Sequence, residues 1–213
     1  MYRELADGLS DQPLFLTRYS AIRALSEQLA APLSPEDQCV QSMADASPTK
    51  WHLAHTTWFF ETLVLAPYAP GYKPYNPAYA HLFNSYYEAL GSRHPRPQRG
   101  LLTRPTIDEV LAYRRYVDEA MVRLFETASR TERARFEDVA ELGLHHEQQH
   151  QELILTDIKH LFSCNPLLPA YAPSVVAAVA DAKPLEWIAF AGGIIPVGHS
   201  KGGFAFDNES PRH

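Results

Sequence analysis

Cysteine is scarce in this 213-residue chain: only Cys39 and Cys164 occur, far apart in sequence. Two such residues form neither a disulfide framework nor a CxxC metal clip. They read as small apolar side chains in a reducing compartment, so a cytoplasmic location is expected. Long apolar runs are missing as well. No stretch approaches the ~20 residues that span a bilayer, so no membrane partner is expected. The opening MYRELADGLSDQPL carries acidic residues and no apolar segment, unlike a signal peptide. Positive charge is in deficit, with 19 Lys and Arg against 25 Asp and Glu and a formal net charge of -6. That balance lacks the basic footprint of a nucleic-acid binder.

What is present is a globular composition, 46% hydrophobic, with an unusual ten histidines. Three of them, His145, His146 and His150, fall within six positions. Residues 13–31 read as a helix with Leu16, Tyr19, Ile22, Leu25 and Leu29 on one face. A second helix is expected to start at Ser47-Pro48, with Ser47 as cap, and to stop before Pro67. After the Pro- and Tyr-rich loop YAPGYKPYNPAYA, a short helix AYAHLFNSYYEAL is expected to end at Gly91. The basic loop SRHPRPQRGLLTRP follows. Thr106 then caps a long helix with Asp108 and Glu109 in its first turn, and Val110, Tyr113, Val117, Met121 and Leu124 form its buried stripe. A last long helix is expected from about Thr131 to Phe162.

Four long helices with inward apolar stripes pack as a four-helix bundle. The expected fold is mainly α, with long ordered loops and a short C-terminal β segment. Residues 1–165 form the bundle, and 166–185, rich in Pro and Ala, form a linker. Residues 186–213 show the glycines and alternating apolar residues of β-structure, too short to bury a core of their own. Their Trp187, Ile188, Phe190 and Phe204 are expected to be poorly covered and prone to association.

The sharpest motif is HEQQHQE, which puts His146 and His150 one helical turn apart on one face. Stacked imidazoles at that spacing can share one metal ion. Val139, Leu142 and Leu153 recur on the same stripe, so both histidines are expected to point inward. A third ligand has to come from another helix. His55 shares a face with Trp51 and Trp58, whereas His52 falls with Thr56 and Phe59, so His55 is the expected ligand. Glu152 or Asp157 is placed to orient a ligand imidazole from behind. His145 reads as a solvated neighbour, and His81 and His160 carry no further argument. Imidazole suits iron, zinc, copper and nickel alike.

SPTKWHLAHTTWFFE, FNSYYEALGSRHPRPQRGLLTRP and HHEQQHQELILTDIKH together resemble the N-terminal, DinB-like domain of the ergothioneine-biosynthesis sulfoxide synthases. WIAFAGGIIPVGHSKGGFAFDNESPRH resembles the opening of that family's second domain, which is related to the formylglycine-generating enzymes. The resemblance implies Fe(2+) held by His55, His146 and His150, with zinc or nickel as substitutes in a purified sample. It implies that dioxygen is used to join a small-molecule thiol, cysteine or γ-glutamylcysteine, to the imidazole of Nα-trimethylhistidine. It also implies that Arg93 and Arg96, at the family's RxxR spacing, grip the thiol substrate's carboxylates by paired hydrogen bonds. Arg99 and Arg104 are expected in structural or surface contacts. In the family the catalytic tyrosine lies in the second domain, of which this chain holds only the opening, so it reads as a truncated form unable to turn over alone. The alternatives are a non-catalytic DinB-like metal-binding module and a metal-dependent thiol transferase. The glycine-rich C-terminal segment speaks against the transferase.

Overall fold

Caps and apolar spacing set most of the helices. The computed structural model describes residues 11–85, 93–173, 184–200 and 202–213. The chain divides into two units, Met1–Ala172 and Pro173–His213. The first holds seven helices among its described residues: α1 (Asp11–Ala30), α2 (Thr49–Phe60), α3 (Ala66–Tyr68), α4 (Tyr79–Leu82), α5 (Ile107–Thr127), α6 (Arg130–Arg133) and α7 (Glu137–Cys164). The four long ones make the bundle. α1 lies against α7, α7 against α2, α2 against α5, and α5 against α1. Thus α1 and α2, consecutive in sequence, are joined chiefly through the other two, an order that long connections permit.

At α5 the sequence and the structure agree closely. The Thr106 hydroxyl accepts from the Glu109 N–H at 3.2 Å, and the Glu109 carboxylate accepts from the Thr106 N–H at 2.6 Å. This reciprocal pair satisfies two of the donors that a helix start leaves open. Val110, Tyr113, Val117, Met121 and Leu124 are all buried, as the spacing predicts.

Elsewhere the structure departs from the expected boundaries. The second helix does not stop before Pro67. A wide π turn, Glu61–Leu65, leads into α3, whose first turn holds Pro67. Ser47 is not the cap; its hydroxyl accepts from Arg99 instead. The last long helix is interrupted. Ser129 and Glu132 cap the short α6, and α7 restarts at Glu137. The short helix is the single turn of α4, and residues 86–92, with the expected stop at Gly91, lie outside the described residues.

Leu16, Tyr19, Ile22 and Leu29 of α1 and Val139 and Leu142 of α7 pack against the core as the spacing predicts, but the most buried positions also include polar residues. On α1 the inward positions are Tyr19, Arg23, Ser26 and Ala30, while Leu25 is exposed. On α7 they are Ala140, Gly143, Leu144, Glu147, Gln151, Ile154 and Ile158, while Leu153 is exposed. Polar groups occupy core positions because they satisfy one another. Glu147 accepts from Arg23 at 2.8 Å, Ser26 at 2.7 Å and Arg114 at 3.0 Å. Arg114 also donates to the Leu53 carbonyl, which ties α2 into the same network. Burial alone would raise the Glu147 pKa, but the Arg23 and Arg114 guanidiniums override it and hold the group at about 2.

α2 and α7 approach closely at Gly143. A Cβ there would stand 2.5 Å from the Phe60 ring and 3.0 Å from the Phe59 ring. Only glycine fits that approach, and it lies one turn before His146.

In the second unit, the described residues hold no strand. Val197 and His213 exchange a pair of backbone hydrogen bonds, His199 donates to the Glu209 carbonyl, and a 3-10 turn spans Asp207–Glu209. The expected β segment is thus reduced to one narrow pairing, as a stretch this short cannot bury a sheet face. Trp187 is 89% exposed, and Ile188 and Phe190 are exposed too, whereas Phe204 packs its ring on Phe206. Residues 174–183 of the expected linker lie outside the described residues.

Candidate metal centre

The first turns of α2 carry Trp51, His52 and His55, and every residue of this helix is buried. α7 faces it with His146 and His150. Successive residues of a helix turn by ~100°, so burying Glu147 toward α1 and α5 directs the histidines beside it toward α2. His55, His146 and His150 each offer one nitrogen, and these atoms lie within 4.8 Å of one another.

The closest pair is His55 Nε2 and His146 Nε2, 3.2 Å apart. Two nitrogens bound ~2.1 Å from one ion, at right to tetrahedral angles, lie ~3.0–3.4 Å apart. His55 Nδ1 donates to the Phe83 carbonyl at 2.6 Å, so its proton is on Nδ1 and the Nε2 lone pair faces His146. His146 Nδ1 is buried without a hydrogen-bond partner among the described residues. A metal ion would use the lone pairs that these rings turn toward each other. The residues present therefore fit a metal ion, and three neutral nitrogens do not select its identity.

The site favours neutral imidazoles. Burial holds His55 well below the ordinary histidine value, with the neighbouring His146 adding to the effect. Burial lowers His146 to about 4. His150 is also well below, through burial and then the adjacent His55, His52 and His146. Trp51 and Trp58 stack on the two sides of the His55 ring at 4.5 and 5.5 Å, which fixes its plane.

A cavity of about 280 Å³ opens beside the histidines. Its walls include Trp51, Ser85, Arg96, Arg99 and Gln149. The 3-10 turn Arg96–Leu101 supplies both arginines. Gln41 pins that turn, accepting from Gly100 N–H at 2.8 Å and donating to the Arg96 carbonyl at 2.9 Å. Arg99, expected in structural or surface contacts, is buried. Its guanidinium carbon sits 3.4 Å from the centre of the Trp51 ring, and it donates to Ser47 and Ser85 hydroxyls. Arg96 lines the cavity and donates to the Asp45 carbonyl. Arg93 is exposed and donates to the Ser85 carbonyl at 2.7 Å. The structure thus brings Arg96 and Arg99 to the cavity wall, and not Arg93. Arg104 is on the surface.

Of the two expected orienting carboxylates, Glu152 is exposed on the outer face of α7. Asp157 lies at the site but touches His52 at 3.0 Å. His52 in turn stands 2.8 Å from His150, nitrogen to nitrogen. His52 was thus undervalued by the face argument, and Arg99 and Glu147 were missed. The only sequence signal for Glu147 was its place inside the histidine motif. His145 pairs with Glu141 on the half-exposed side, and His160 bonds Ser42.

No helix among the described residues is long and apolar enough to cross a membrane. None of the curated proteins matches the chain. The sequence profile of the DinB superfamily matches residues 18–154, which take in α2, α5, all three clustered histidines and the buried Arg–Glu network. With well over half of its length matched, bundle and histidine site included, the chain belongs to the DinB superfamily.

Proposed function

We propose that this chain is the iron- and thiol-binding part of an oxygen-dependent sulfoxide synthase that joins cysteine or γ-glutamylcysteine to the imidazole of Nα-trimethylhistidine in ergothioneine biosynthesis. The observation that carries the reading is the pairing of a three-histidine cluster with two arginines across one cavity. Neutral ligands leave a divalent ion's charge uncompensated, and Arg96 and Arg99 add to it. The cavity is therefore built for an anion that also offers a metal-binding atom. A thiol amino acid or its γ-glutamyl form has both: a sulfur for the metal and carboxylates for guanidinium groups. The motif resemblance supports this substrate class.

A bound iron(II) would supply Lewis acidity that lowers the thiol's pKa, and electrons for dioxygen. The chain's own residues bind and orient. His55, His146 and His150 would hold the ion. Arg96 and Arg99 orient the carboxylate end of the thiol. The Trp51 ring, held between Arg99 and His55, keeps the distance between anion and metal sites fixed.

Anaerobic iron(II) titration with nitric oxide as a spectroscopic probe tests the proposal. Cysteine or γ-glutamylcysteine is expected to change the nitrosyl spectrum, and Arg99→Leu to weaken the thiol at least tenfold. An unchanged spectrum at saturating thiol would leave the metal-binding module without this function.

A further inference from the structure

Three groups stand in line behind His150. Asp157 Oδ2 lies 3.0 Å from His52 Nε2, and His52 Nδ1 lies 2.8 Å from His150 Nδ1. The same Asp157 oxygen accepts from the Ser47 N–H at 2.8 Å. A carboxylate only accepts, so the His52 proton sits on Nε2. His52 Nδ1 is then the bare nitrogen of a neutral ring and must accept. The hydrogen bond between the two rings therefore places the His150 proton on Nδ1 and its lone pair on Nε2.

We propose that His52 and Asp157 form a relay that fixes the tautomer and ring orientation of His150, making His52 a positioning residue for the metal centre. His55 is set by a backbone carbonyl, through the Phe83 contact. His150 is set by a side-chain pair instead, and the two devices give the same outcome: Nδ1 protonated and Nε2 available. Ser47 extends the line to the cavity, because its hydroxyl accepts from Arg99 while its N–H holds Asp157. The orienting carboxylate thus acts one residue further back than a direct carboxylate–histidine contact would require.

The inference rests on the metal reading of the site, and its test separates the two. Nitrogen-15 histidine spectra of the metal-free protein report the tautomer directly. Wild type is expected to show His150 as the single Nδ1–H form, and His52→Leu to show a mixture. Cobalt(II) serves as the binding probe. His52→Leu is expected to weaken it about 10–100-fold, while near-ultraviolet circular dichroism confirms the fold. His52→Asn returns an acceptor oxygen near the position of Nδ1 and is expected to recover affinity to within about threefold. Cobalt(II) binding by His52→Leu equal to wild type, with His55→Ala abolishing it, would overturn the relay and leave the metal site standing. An Nε2–H tautomer at His150 in wild type would overturn it as well. Absence of cobalt(II) binding in wild type would overturn the metal reading and the relay's purpose with it.

Discussion

Gly143→Ala is a demanding test of the packing that brings α2 and α7 together. The added methyl would meet Phe60 Cε1 at 2.5 Å, Phe60 Cζ at 2.8 Å and Phe59 Cε1 at 3.0 Å. Carbon atoms rest ~3.5–4.0 Å apart, so the contact has to open by ~1 Å. Neither ring can yield easily. Phe60 is fully buried with its edge on Tyr19, and Phe59 lies against the His146 ring. Overpacking of this kind costs ~1–3 kcal/mol, and the tight surroundings put it near the upper figure. Alanine's better helix propensity offsets at most ~1 kcal/mol of that. The expected net loss is ~2 kcal/mol, read as a fall of ~4–8 °C in the melting temperature of the metal-free protein. Because His146 lies one turn beyond Gly143, cobalt(II) affinity should fall too. Phe60→Leu in the same chain is expected to recover part of the loss, giving a coupling that a double-mutant cycle measures. A Gly143→Ala protein as stable as wild type, or more so, would refute the argument.

Two other perturbations follow from the same geometry. Glu147→Gln removes the carboxylate that Arg23 and Arg114 share and leaves them only Asp118 and Glu27 at the rim, which should cost ~3 kcal/mol in urea unfolding. Glu147 is held at about 2 when folded and lies near 4.5 when free, so its stabilisation is complete above pH 4.5 and is lost as the pH falls toward 2. That acid-side slope, worth ~3 kcal/mol, should vanish in the variant. Zinc(II) at a hundredfold excess over its Kd should stabilise the protein by ~2.7 kcal/mol, read as a melting shift of ~5–10 °C. A chelator should reverse the shift and His55→Ala should abolish it; a shift that survives in His55→Ala would place the metal elsewhere.

The parts of the fold readable from sequence are those where burial and hydrophobicity coincide. α5 is the clear case: its cap, its first-turn acids and its stripe from Val110 to Leu124 are all local, and all are found in place. The HxxxH spacing is equally local, because one helical turn brings His146 and His150 together whatever surrounds them. His55 was legible through its company with Trp51 and Trp58, which stack on its ring.

Only the tertiary structure decided the rest. Apolar spacing places Leu16, Tyr19, Ile22 and Leu29 of α1 and Val139 and Leu142 of α7 against the core, but it misses Arg23, Ser26, Glu147 and Gln151, which take inward positions through partners on other helices. A hydrophobicity pattern carries no information about such partners. The face argument on α2 had little power to set His52 aside, since that helix is buried all round and has no outer face. Sequence therefore determined which residues can bind a metal. The packing of α2 against α7 at Gly143, and the line from Asp157 through His52, determined how their nitrogens point, because orientation depends on contacts between segments far apart in the chain.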